Sequence, residues 1–234
     1  MGTSSSNKGG SGGAWTGFKR SATDFAKYGG RQRAAKALAG YVAAMGGAAA
    51  AAAATAAGSR TGQSLGNFLS ASTGPNGLAD GLESVGLSHL IGQDRYTVLS
   101  ELLNAFAGDG GDIETQAARN ALLDVLDDLL PQEEGTELNS VHLDEQAVTE
   151  SLCRYLDALI YNLAIPIIDE RLTRLENPAL AQERDRELRD YIDALVRLRI
   201  QDASPLQTDW HGSEGQKFIS DILRAVYDQL EEWE

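Results

Sequence analysis

The residues best placed to do chemistry stand at the very start of the chain. Met1-Gly2-Thr3-Ser4-Ser5-Ser6 puts the smallest side chain behind the initiator, so removal of Met1 leaves Gly2 as an unhindered primary amine. An α-amino group titrates near about 7.7–8.0 and keeps a neutral, nucleophilic fraction at physiological pH, which a lysine near about 10.4 does not. Three readings of that amine stand side by side. Gly2 with Ser6 fits Met-Gly-x-x-x-[Ser/Thr], the pattern for N-myristoylation, and basic residues Lys8, Lys19 and Arg20 follow; this describes a membrane-associated scaffold. A partner enzyme can make a different covalent change at the same amine, or the segment is a plain polar leader.

No second constellation competes with it. His89, His142 and His211 are scattered without a partner cysteine, so no metal site is predicted. The lone Cys153 lies in a helical pattern and reads as a packing residue. A phosphate-loop motif is missing from the sequence. Asp109-Gly110-Gly111-Asp112 is too acidic for a phosphate cradle and lacks the calcium-loop pattern; Asp112 reads instead as the cap of a helix from Ile113. Acidic pairs such as Asp127 and Asp128 sit in a crowd of carboxylates that singles out no acid and base. No catalytic residue is therefore assigned, no cofactor is called for, and the chain reads as a non-enzyme.

The elements that position the amine are helical throughout, giving an all-α prediction: a multi-helix body with a disordered Gly/Ser-rich tail. Residues 1–20 are expected to be a flexible tail, since Ser, Gly and Asn cannot offset the entropy of ordering. A basic, Ala/Gly-rich helical head follows over 21–72. Within it, Ser21 and Asp24 have capping-box spacing, and one long helix is expected to run to about Ala57, weakened at Gly46-Gly47. The uncharged stretch from Ala37 to Ser59 is long enough to span a bilayer but too poor in Leu, Ile, Phe and Val to insert. Small residues Gly40, Ala44 and Ala48 let another backbone come close.

Residues 73–234 are expected to form an acidic α-helical body. Leu122, Val125, Leu126 and Leu129 trace one stripe, and Val148, Leu152, Tyr155, Leu156, Leu159 and Leu163 a second, which Pro166 should kink or break. Asn177-Pro178 restarts the chain as a helix whose inner face carries Leu188, Tyr191, Ile192, Leu195 and Leu198. A capping-box pair, Ser213 and Gln216, opens the last helix, and its stripe runs from Ile219 to Trp233. Just before it, Trp210 is either an exposed anchor for a partner protein or a buried lid.

The net charge of −14 hides an asymmetry: residues 1–62 hold eight Lys or Arg and one acid, against twelve and thirty-three beyond. An acidic body repels phosphate, which disfavours nucleic acid as a direct ligand. If bound at all, it should meet Lys19, Arg20, Lys27, Arg31, Arg33 and Lys36. The alternative is intramolecular, with the basic head docked on its own acidic body. A charged n-region followed by an apolar core is not found near the start, so a cytoplasmic protein without a transmembrane segment is expected.

The opening MGTSSS, the run GGSGGAW and the later stretch AGDGGDIETQAARNAL resemble the QatB component of the Qat anti-phage defence systems. That resemblance implies a non-catalytic immunity protein acting beside an ATPase (QatA), a QueC-like enzyme (QatC) and a TatD-like nuclease (QatD). QueC-type enzymes activate a deazaguanine carboxylate with ATP before an amine attacks it. The resemblance thus implies Gly2, Thr3, Ser4, Ser5 and Ser6 as a partner-binding tail, with Gly2 the modified residue.

Overall fold

The computed structural model describes residues 12–132, 137–201 and 203–233. Ten α-helices, with three short 3-10 turns, account for the regular structure among those residues, and no strand occurs there. The chain forms two compact units. One comprises residues 1–54, 164–191 and 224–234; the other comprises 55–163 and 192–223. These units cut across the charge boundary of the sequence.

The first unit opens with α1 (Gly12–Tyr28) and α2 (Arg31–Met45), joined by Gly29 and Gly30. Both glycines sit at positive φ, 61° and 92°, where a side chain is strained, so the pair reverses the chain and ends the single long helix expected from Ser21. Gly46 and Gly47, at φ 99° and 95°, break it again before α3 (Ala48–Ala53). Helix α1 also starts earlier than expected and takes in Gly12 to Arg20, which composition assigned to the tail. The reason is burial: Phe18 packs edge-on against Tyr41, 5.8 Å between ring centres, and Trp15 lies tilted against the Phe18 ring at 6.1 Å. Ser21 is not a cap but a buried mid-helix residue whose hydroxyl donates to the Phe18 carbonyl. A Cβ at Gly40 would lie 3.1 Å from the Phe18 Cα, so the small residues of α2 do admit a close neighbour, namely α1.

The second unit is organised by α4 (Ala56–Ala71). Gly58, Gly62 and Gly66 recur every fourth residue on one face, and larger side chains fill the space a Cβ would take: Leu159, then Tyr155 with Ile219, then the Trp210 ring. The Tyr155 hydroxyl donates to the Gly58 carbonyl at 2.7 Å, and Thr61 donates to that of Phe106. Helices α5 (Leu78–Ser84), α6 (Arg95–Ala107) and α7 (Ile113–Leu129) pack alongside. Asp94 and Asp112 cap the latter two through backbone N–H groups, the second as the sequence predicts.

Helix α8 runs without interruption over Glu145–Leu172, with Pro166 inside it. The expected break does not occur, because Ile168 and Leu172 are buried beyond the proline and hold the last turns helical. This helix alone among those described is long and apolar enough to cross a membrane, and 61% of its apolar window is buried within the fold, as in a core helix. Asn177 caps α9 (Pro178–Ile200) as expected. Leu198 on α9 is 52% exposed instead of inward, and Trp233 lies past the end of α10 (Ser213–Glu231), half exposed, off the buried stripe from Ile219 to Leu230.

Candidate functional site

Gly2, Thr3, Ser4, Ser5 and Ser6, the predicted modification site and partner-binding tail, lie outside the described residues. The structure corrects the reading of Trp210 as an exposed anchor. Its side chain is 4% exposed, its indole N–H donates to the Pro205 carbonyl at 2.8 Å, and Phe218 meets the ring edge-on at 5.3 Å. The cause is local crowding by glycines: Gly66 and Gly215 both leave room for the indole, and Gln63 ties down the Trp210 and Gly212 carbonyls. The residue is a lid on its own unit.

Among the described residues, no group of three His, Cys, Asp or Glu side chains could hold a metal. His142 reaches the Gly74 carbonyl at 3.1 Å, a structural contact. Cys153 is buried, and desolvation pushes its thiol up to about 11, so it is held protonated and inert. A groove of about 490 Å³ in the first unit is lined by Asp169, Thr173, Gln182 and Arg186, with an Arg189–Asp185 ion pair at 3.3 Å across its wall. Its charges neutralise one another and converge on no ligand.

The tip of the α1–α2 hairpin is different. Arg184 of α9 lies where a Gly29 Cβ would be, Glu187 accepts from the Gly30 N–H at 2.9 Å, and Arg31 lies over the Tyr191 ring at 5.6 Å. These contacts fix the turn, and they leave Tyr28 55% exposed at its apex, with the Lys27 ammonium 4.9 Å and the Arg33 guanidinium 5.3 Å from its ring. Lys19, Arg20, Lys27, Arg31, Arg33 and Lys36 are all exposed. Among the described residues, none of the six forms an ion pair, whereas arginines 95, 154, 171, 174, 184, 189, 197 and 224 all do. The basic head does rest on its own acidic body, one of the two readings of the charge asymmetry, but through the Gly30 N–H on Glu187 and Arg31 over Tyr191 and not through ion pairs of these six cations among the described residues. The charge of these residues was legible in the sequence, but not the glycine pair that brings two of them, Lys27 and Arg33, to an exposed tyrosine.

Fold and surface together define an all-α protein with a helical scaffold, a cationic hairpin at its start and no metal cluster among the described residues. A family model, Qat anti-phage system associated protein QatB, matches residues 46–230. The chain belongs to that family and is a component of an anti-phage defence system. The match includes the stretch from Ala107 to Leu122 that carried part of the resemblance, and leaves Met1–Ser6 and the α1–α2 hairpin outside it. Comparison with curated proteins and with solved structures finds no match.

Proposed function

We propose that the chain is a non-catalytic adaptor and substrate of its defence system, acting in the cytoplasm and presenting Gly2 to a QueC-like enzyme. The family match is the observation that carries this reading. In the proposed step, the deazaguanine carboxylate attacks the α-phosphate of ATP and expels pyrophosphate; the neutral Gly2 amine then attacks the carbon of the acyl-adenylate, the C–N amide bond forms, the C–O bond to AMP breaks, and the amine gives up a proton. The ATPase and the TatD-like nuclease of the system are the further partners. Gly2 stands ten residues ahead of α1, whose Phe18 is buried. Ten residues span about 35 Å at full extension, enough to enter an enzyme pocket while the helices stay outside.

Intact mass, measured on protein expressed with and without the neighbouring genes, tests the proposal together with phage protection in cells carrying the whole system. A deazaguanine-type adduct on the wild-type chain, absent from Gly2→Pro, is the expected result, because proline offers a constrained secondary amine. A myristoyl mass would instead support the membrane scaffold. Full protection by Gly2→Pro with an unmodified wild-type chain refutes conjugation.

A further inference from the structure

A surface of one sign is costly to assemble unless a ligand of the other sign completes it. Lys19, Arg20 and Lys27 lie on the exposed side of α1, over eight residues or about 12 Å of helix. Arg31, Arg33 and Lys36 occupy the first turns of α2, beside them across the Gly29-Gly30 turn. Cations there oppose the α2 macrodipole, so helix stability does not account for them. Asp24 is the single acid within residues 1–62.

The nature of the counter-charge can be narrowed. The chain supplies thirty-three carboxylates of its own beyond residue 62, at the high effective concentration of one molecule, and none pairs with these six cations among the described residues. Phosphates on a backbone bring repeated charge, and three of the six are arginines, whose planar forks suit phosphate oxygens. Tyr28, more than half exposed, now holds Lys27 and Arg33 over its ring; once these turn to phosphates the ring is a platform that a splayed base can stack on, which a paired base in a duplex cannot.

We propose that the exposed face of the α1–α2 hairpin binds single-stranded nucleic acid, with Lys19, Arg20, Lys27, Arg31, Arg33 and Lys36 on the phosphates and Tyr28 against a base. The inference does not depend on conjugation at Gly2. Fluorescence anisotropy of the full chain with a labelled single-stranded oligonucleotide of about 20 nucleotides, from about 50 to 200 mM salt, tests it.

Neutralising six phosphates predicts a slope of log affinity against log salt of about −4.2. Lys27→Gln with Lys36→Gln should make that slope shallower by about 1.4, with an unchanged circular-dichroism melt, and Lys19→Gln with Arg20→Gln should do the same independently. Tyr28→Ala should weaken binding about tenfold at unchanged slope, because it removes stacking and no charge. Absence of binding at about 50 mM salt, or a slope untouched by either pair, overturns the proposal. Equal affinity for a duplex of the same length overturns the single-strand assignment, and displacement by polyglutamate as effective as by the unlabelled strand reassigns the face to an acidic protein.

Discussion

Gly66→Ala is the sharpest probe of how the second unit is built. Gly66 lies in α4, where alanine adopts the same backbone and by propensity alone gains about 1 kcal/mol. The structure reverses that sign. A Cβ at Gly66 would lie 2.3 Å from Cε3 and Cζ3 of Trp210, part of a rigid ring with no flexible end to swing aside. Overpacking of this kind costs about 3 kcal/mol, and shifting the indole also strains its hydrogen bond to the Pro205 carbonyl, worth about 1 kcal/mol. The net loss is about 3 kcal/mol, or about 6–12 °C in Tm for a chain of this size. Urea unfolding followed by circular dichroism measures it, with Gly17→Ala as the control: nothing lies within 4 Å of a Cβ there, so that change should stabilise by up to about 1 kcal/mol. In a Trp210→Leu background the alanine should become nearly neutral, a coupling of about 3 kcal/mol. If Gly66→Ala stabilises as Gly17→Ala does, the indole is not where the helix needs a glycine, and the account of Trp210 as a lid fails.

Tyr155→Phe should cost about 1 kcal/mol in the same urea titration, because it removes the buried hydrogen bond that the phenol adds to the Gly58 carbonyl beside the helical one; a neutral result would mean that this bond contributes nothing to the packing of α8 on α4. Glu114 accepts from the Ala57 N–H at the start of α4, and desolvation raises its carboxyl above the ordinary value. A raised acid favours the fold below its unfolded pKa and loses that favour as pH climbs through the folded one, so the stability of the wild type relative to Glu114→Gln should fall as pH rises above the ordinary carboxyl range. A gap independent of pH would show that burial does not act on this carboxyl. Cys153 should resist alkylation at pH 8 in the native protein and react once urea unfolds it, while prompt native labelling would contradict its burial and its raised pKa of about 11.

Short-range signals were legible in the sequence because they are complete within one turn of chain. Asp112 caps α7 and Asn177-Pro178 starts α9 with partners two or three residues away, and the buried stripe from Ile219 to Leu230 follows from the helical period alone. The cationic character of the first forty residues was equally plain, since charge is a property of composition. Tertiary structure decided the rest. Whether Gly58, Gly62 and Gly66 are filler or sockets depends on Leu159, Tyr155 and Trp210, about one hundred or more residues later, meeting that face in register. Gly12 to Arg20 became helix, and Pro166 was absorbed, because buried Phe18 and Ile168 outweigh the local preference of glycine and proline. Trp210 changed from a possible anchor to a lid for the same reason: its surroundings are supplied by Gly66, Gln63 and Phe218. Local preferences differ by about 1 kcal/mol per residue, and burying one large side chain stabilises by about 2–3 kcal/mol, so the distant contact prevails wherever the two disagree.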